Sequence, residues 1–546
     1  MNQHALNRIS GNIVDLINGT IYPGTVEIAK GKITAIKRGQ TPYGVFILPG
    51  FIDSHVHIES SMIIPSEFAR LATTHGTVAT VSDPHEIANV LGIDGVMFMI
   101  NNGSTVPFKF YFGAPSCVPA TTFETNGATL DTDKIERLLE MKEILYLSEV
   151  MNVPGVLYRD PAIMGKIRIA RRLGKKVDGH APGLRGEHAK QYCEAGISTD
   201  HECLDIEEAL EKIGYGMKIH IREGSAARYL NILYPLLKNH SESCMFCSDD
   251  IHPDDLIQGH INEMVRKAVQ YGIDRMKVLR CATVNPVMHY GLDVGLLRPG
   301  DPADFIVVNN LDEFCIMKTV INGTIVAECG ETLIPSVKTD IPNNFRTEKK
   351  SVSDFKLKTK GPFINVIETV EGELVTYRRI LRPKVKRGYA VSDIANDVLK
   401  IAVVNRYQDA PPSIGFVKGF GIKKGALASS IAHDSHNIIA IGTTDEELCA
   451  AVNCIIEQKG GLCCINEGVQ KILPLPVAGI MTDKDGKGVA QMDFELHVFL
   501  KNLCPSLSRP FMTLSFMALL VIPELKISDR GLFDGKQFTP IDLFSR

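Results

Sequence analysis

Histidines and carboxylates recur in the first half of the chain in short polar words that close apolar runs. They are His55-Val56-His57, Asp83-Pro84-His85-Glu86, Ser148-Glu149, Asp178-Gly179-His180, Asp200-His201-Glu202, Arg222-Glu223 and Ser248-Asp249-Asp250. Imidazole and carboxylate are the borderline and hard ligands that bind divalent cations, and a few of them around an open position make a hydrolytic metal site. Residues i and i+2 of a strand share a face, so His55 and His57 are placed to hold one cation. Glu149, His180, His201 and Asp249 supply ligands enough for two ions with a carboxylate between them. Two metals roughly 3.5–4 Å apart share a hydroxide and lower the pKa of water towards about 7. A lone histidine on a strand is more often a packed core residue than a ligand. Six such residues at successive strand ends make a pattern that packing alone does not explain. For Asp83, His85, Arg222, Glu223 and Asp250 a supporting role is as good a reading as direct contact with substrate.

These words need elements that bring them to one place. Eight strand-like runs carry them: 46–57, 78–83, 108–114, 144–150, 176–180, 197–201, 217–222 and 243–249. Helical patterns lie between, which is the signature of parallel βα units and, with eight strands, of a closed (β/α)₈ TIM-like barrel. In such a barrel the strand ends converge on one mouth. Short strands with Asn-Gly turns flank the region, and Ile17-Asn18-Gly19-Thr20 echoes Ile321-Asn322-Gly323-Thr324. The expected organisation is a small β-sandwich assembled from both barrel flanks (1–50 and 294–335), the barrel (51–293), a polar linker (336–360) and a separate mixed α/β C-terminal domain (361–546).

Several weaker motifs lead nowhere. Cys244 and Cys247 lack the proline and spacing of a zinc deaminase and read as core residues of the eighth strand. His85-Glu86 lacks the second histidine of a zincin helix, and Gly419–Gly425 misses the dinucleotide spacing. A net charge of −4 from 59 basic and 63 acidic residues excludes a dominant polyanion partner. The 13 cysteines have no spacing pattern and read as free thiols. With no apolar leader and no apolar run of spanning length, a soluble cytoplasmic protein without nucleic-acid or membrane partners is expected.

The run Leu48-Pro49-Gly50-Phe51-Ile52-Asp53-Ser54-His55-Val56-His57 resembles the first-strand signature of the amidohydrolase superfamily. Gly295–Asp304 resembles that superfamily's return into its flanking β domain. Five further words are similar to the adenine deaminase family: His57-Ile58-Glu59-Ser60-Ser61, Asp83–Asn89, Ser148–Asn152, Asp178–Gly183 and Ile221–Ser225. So are Ser248–Pro253 and the C-terminal Gly425–His436, and the resemblance covers nearly the whole chain. It implies a binuclear centre in which His55, His57 and Asp249 hold one metal, His180 and His201 the other, and Glu149 bridges them. It implies manganese foremost, with iron or zinc as alternatives, and often a homodimer or higher homo-oligomer. The implied reaction is hydrolytic deamination of adenine to hypoxanthine and ammonia, a step of purine salvage. In it Asp249 and Glu149 serve catalysis, and Asp83, His85, Arg222, Glu223 and Asp250 are the candidates for gripping the ring. The competing readings are another amidohydrolase acting on a different amino-purine or cyclic amide, and a non-catalytic assembly protein on the same fold. The cluster His433, Asp434 and His436 reads either as a hydrogen-bonded turn or as a wall reaching the barrel mouth.

Overall fold

The computed structural model describes residues 4–40, 44–225 and 227–545. Eight parallel strands form its centre: β1 (Phe51–Val56), β2 (Thr77–Ser82), β3 (Lys109–Ala114), β4 (Ile144–Val150), β5 (Lys176–Gly179), β6 (Thr199–Asp200), β7 (Lys218–Arg222) and β8 (Cys244–Cys247). β1 and β2 are buried at every position. Burial on both faces of a parallel sheet explains why these strands lack a solvent-facing polar alternation, their polar residues being buried as well.

The strands pair in two arcs, β1 to β5 and β6 to β8. Hydrogen bonds join both seams. Asp249 N donates to His55 O (2.9 Å) and His57 N to Asp249 O (3.1 Å), which ties the end of β8 to β1. Ser198 N donates to Val177 O (2.8 Å) across the β5–β6 seam. The result is a TIM-like barrel whose strand ends share one mouth.

The run read as one strand over 46–57 is two. Phe46–Pro49 belongs to the flanking sheet and β1 begins at Phe51. Gly50 makes the break: a Cβ there would lie 2.3 Å from Val78 Cγ1, so only glycine lets the chain cross from one sheet to the other at this point.

Both flanks contribute to one eight-stranded sheet, in which Phe46–Pro49 runs antiparallel to Phe305–Val308. One face gathers Ile13, Val26, Ile33, Ile47 and Phe305 into its own cluster. The other sends Val14, Leu48, Ile306 and Val308 into the barrel's core. Buried Asp304 fastens the joint, accepting from Lys109 Nζ on β3 (2.6 Å), Gly295 N (3.0 Å) and Asn322 N (2.8 Å).

The C-terminal unit is built on a nine-stranded sheet covered by helix α1 (Asp445–Gln458). Residues 336–360 run onto it, and Phe355 is buried in its core. A second helix, α2, spans Gly486–Leu503. Two glycines, Gly486 and Gly488, disguise its start. Asp485 caps it by accepting from Lys487 N (3.1 Å) and Gly488 N (3.2 Å). Among the described residues no helix is long and apolar enough to cross a membrane. All 13 cysteines are free, and Cys244 and Cys247 are buried on β8, where burial pushes the Cys244 thiol up to about 12.

Candidate metal centre

β1 ends with His55 and His57, and their Nε2 atoms lie 3.2 Å apart. Asp249 Oδ1 is 3.1 Å from the first and 3.0 Å from the second. The backbone of Asp249 has φ 54°, a left-handed conformation at the end of β8. That is strained for a residue with a Cβ and recurs at functional positions.

A second group sits beside the first. His180 Nδ1 and His201 Nε2 are 3.3 Å apart, at 3.0 and 3.2 Å from Glu149 Oε2. The other carboxylate oxygen, Glu149 Oε1, faces the first group, 3.5 Å from His57 Nε2 and 3.4 Å from His85 Nδ1. Glu149 therefore lies between the two histidine sets with one oxygen towards each. Its carboxyl is buried, which alone would raise its pKa, yet the imidazoles of His180 and His201 hold it well below the ordinary range.

The electrostatics of the cluster favour positive charge. Burial disfavours the imidazolium form of His55, His57 and His180, but the surrounding carboxylates prevail and raise all three, His180 to about 9. His55 Nδ1, Asp249 Oδ1 and Asp83 Oδ1 are buried without a hydrogen-bond partner. Ligand atoms within 4.8 Å of one another recur in several overlapping sets, among them His55, His57 and Asp249; His55, Glu149 and His201; and His57, Asp83, His85 and Glu149. Orphaned acceptors and converging imidazoles of this kind fit divalent cations.

The remaining candidates divide. His85 lies inside the cluster, with Nδ1 3.3 Å from Asp83 Oδ2. Arg222 is buried and held by carboxylates: Nε is 2.6 Å from Asp249 Oδ2, one terminal nitrogen pairs with Glu202, and the other is 3.4 Å from Asp250. Burial alone would raise Asp249, but this guanidinium, with His55 and His57, holds it well below the ordinary range. Asp250 accepts from Ser60 Oγ (2.6 Å). Glu223 ends β7 but pairs with Lys267 at 2.6 Å.

Three supports were not singled out from sequence. Asp53 ties β1 to its neighbours, accepting from Ser248 N (3.0 Å) and pairing with His260 Nε2 (2.8 Å). His220 is buried on β7 beside His55, and burial with His55 and His201 drives its pKa well below the usual value, so it is neutral. It stands two residues before Arg222, the same spacing that marked His55 and His57. Glu86 is the third: it accepts from the C-terminal unit, with His433 Nδ1 at 2.7 Å on one oxygen and His436 Nε2 on the other. The cluster at 433–436 thus reaches the barrel mouth.

Residues 46–326 match the amidohydrolase family and residues 373–539 match the adenine deaminase C-terminal domain. An adenine deaminase of Sulfurovum sp. is 55% identical, the match spanning 98% of this chain and 99% of that protein. The chain belongs to the adenine deaminase family. Adenine deaminases of Salinibacter ruber (52% identical, 98% of each chain) and Methanosarcina mazei (49%, 99% of this chain and all of that one) match over the same extent. Membership of the amidohydrolase family implies a divalent metal, and the buried ligand sets fit one.

Proposed function

We infer that the protein hydrolyses adenine to hypoxanthine and ammonia at a binuclear centre loaded with manganese, in purine salvage. The observation that carries the reading is Glu149, one oxygen turned to each of two histidine groups, in a chain 55% identical to an adenine deaminase. His55, His57 and Asp249 would hold one ion and His180 and His201 the other, with the Glu149 carboxylate between the two sets. When bound, the two ions supply Lewis acidity that brings water within reach of deprotonation near neutral pH.

The side chains do the rest. Arg222 keeps Asp249 ionised and oriented, so its carboxylate can accept the proton of the attacking water and return it to the departing amine. Water adds at C6 of the purine, the C6–N bond breaks, and ammonia leaves with the transferred proton. Asp83, His85 and Asp250 surround the position of the ring and are its hydrogen-bonding contacts. Asp53 and His260 hold β1 and β8 in register beneath. Glu223, paired with Lys267, serves structure.

The test is an absorbance assay of adenine conversion by protein stripped of metal and reloaded with manganese. Turnover with ammonia release is expected. Glu149→Gln should lower kcat/KM on the order of 10³-fold or more, because the neutral amide no longer offers two anionic oxygens. Two ions bound without adenine turnover would reject adenine as the substrate.

A further inference from the structure

A cleft lies between the barrel mouth and the C-terminal unit, reaching the metal-centre side at Asp250. Ser60 and Asp250 line it on the barrel side; Asp250 directly follows Asp249. Asp493 and His497 of α2, with Arg509, line the opposite side. Ile431, Phe511 and Phe516 supply apolar wall between them. Two polar ends joined by apolar sides suit a flat heteroaromatic base.

Asp493 is the unexplained member. It is 1% exposed, and its Oδ2 has no hydrogen-bond partner. The imidazole nitrogen His497 Nδ1 is 3.7 Å away, beyond hydrogen-bond reach. Arg509 is committed elsewhere, to Asp254 at 2.9 Å and Asp255 at 3.1 Å. Burial, with the charge of Asp254, pushes the Asp493 carboxyl up to about 8 against the pull of Arg509. A buried polar group without a partner is uncommon in a folded protein and calls for an explanation such as a ligand.

We propose that Asp493 is a specificity residue that reads the purine edge remote from C6, its hydroxyl donating to N3 and its carbonyl oxygen accepting from N9–H. This rests on adenine being the substrate. With C6 at the metal centre, N3 and N9 lie across the ring system and face the far wall of the cleft. A neutral carboxyl offers a donor and an acceptor side by side, the complement of that edge. A base substituted at N9 has no N9–H to offer, so the contact selects the free base over its nucleoside.

Calorimetric titration of the metal-loaded, full-length protein with hypoxanthine, 9-methylhypoxanthine and 3-deazahypoxanthine tests this without turnover. Wild type should bind hypoxanthine about tenfold or more tighter than either analogue, since each lacks one partner of the contact. Asp493→Asn keeps a donor and an acceptor and should retain that preference. Asp493→Leu, of similar volume, should bind all three alike and weakly. Equal binding of the three ligands by wild type overturns the inference whether or not any variant folds. A Leu variant that keeps the wild-type preference overturns it too, while adenine turnover by wild type leaves the assigned reaction standing. Absence of both turnover and hypoxanthine binding in wild type overturns the reaction and this contact together.

Discussion

At the scale of single residues, the metal centre is a competition between protons and cations. His55, His57 and His180 have pKa values raised by Asp249 and Glu149 over the opposing effect of burial, His180 to about 9. Below that value the ion-free imidazole carries a proton, whereas a metal ligand must be neutral. Loading at pH 7 should therefore release at least about one proton per ion, and affinity should fall as pH drops from 9 towards 6. Calorimetry in buffers of different ionisation enthalpy measures this; pH-independent affinity would remove these histidines from the ligand set. His55 and His57 were legible in the sequence because a strand's period of two puts i and i+2 on one face. Glu223 shows the limit of the same logic. It ends β7 as the ligand candidates end their strands, but a lysine on the neighbouring helix, Lys267, claims it. His220 was missed because one histidine inside an apolar strand reads as core, and only the fold shows its ring 6.3 Å from that of His55.

At the scale of elements, the eight barrel runs were visible because short strand-like runs alternate with helical patterns along the chain. The boundary at Gly50 and the glycine-rich start of α2 were not, because close approach to Val78 and an Asp485 cap are tertiary and local facts that periodicity does not carry. Nor does periodicity show what joins the barrel mouth to the C-terminal unit. Glu86, on the helix that follows β2, takes His433 on one oxygen and His436 on the other. Burial lowers both imidazoles. For His433 the Glu86 carboxylate overcomes this and raises it to about 9, while His436 stays below the usual value. The two histidines thus act in different windows. His433, raised on folding, contributes stability in full below about pH 6.5 and loses it as pH rises through about 9. His436, lowered on folding, contributes above about 6.5 and loses only at lower pH. Between pH 6.5 and 9.5 only the His433 contribution changes, by up to about 3 kcal/mol. Glu86→Gln should lower the thermal midpoint by several degrees at pH 6.5 and by much less at pH 9.5. An equal loss at both would mean that the Glu86–His433 pair carries no charge.

At the scale of the whole molecule, the barrel and the C-terminal unit meet at the mouth and share one continuous core. Thr482 N donates to Met62 O (2.9 Å) and Ile64 N to Thr482 O (3.2 Å), so the chain after β1 runs as a strand partner of the C-terminal unit. Gly486 N donates to buried Glu67 (3.3 Å), and Tyr407 packs where a Cβ on Gly127 would lie 2.8 Å from its ring. Met62, Ile63, Ile64 and Leu71 share one continuous hydrophobic core with Val477, Met481 and Val489. The architecture of this unit was not nameable from sequence, because its hairpins are ordered into one nine-stranded sheet by distant pairings, such as Glu368 with Lys418 and Phe363 with Ser545, that leave no periodic trace. Its role does follow from the contacts. A chain ending at residue 335 keeps all six candidate ligands but loses the apolar cover of Met62–Ile64, the two histidines on Glu86 and one wall of the cleft. Exposed contiguous apolar surface of that kind drives association. The truncated protein should therefore bind a hydrophobic fluorescent probe strongly, aggregate on concentration, and turn over adenine at least about 100-fold more slowly than the full chain, since misplacing groups by even 1 Å costs that much. Fluorescence, light scattering and the adenine assay on one preparation read all three. A monodisperse truncated barrel with full turnover would show that the C-terminal unit only abuts the active site, and that Glu86 needs no partner from it.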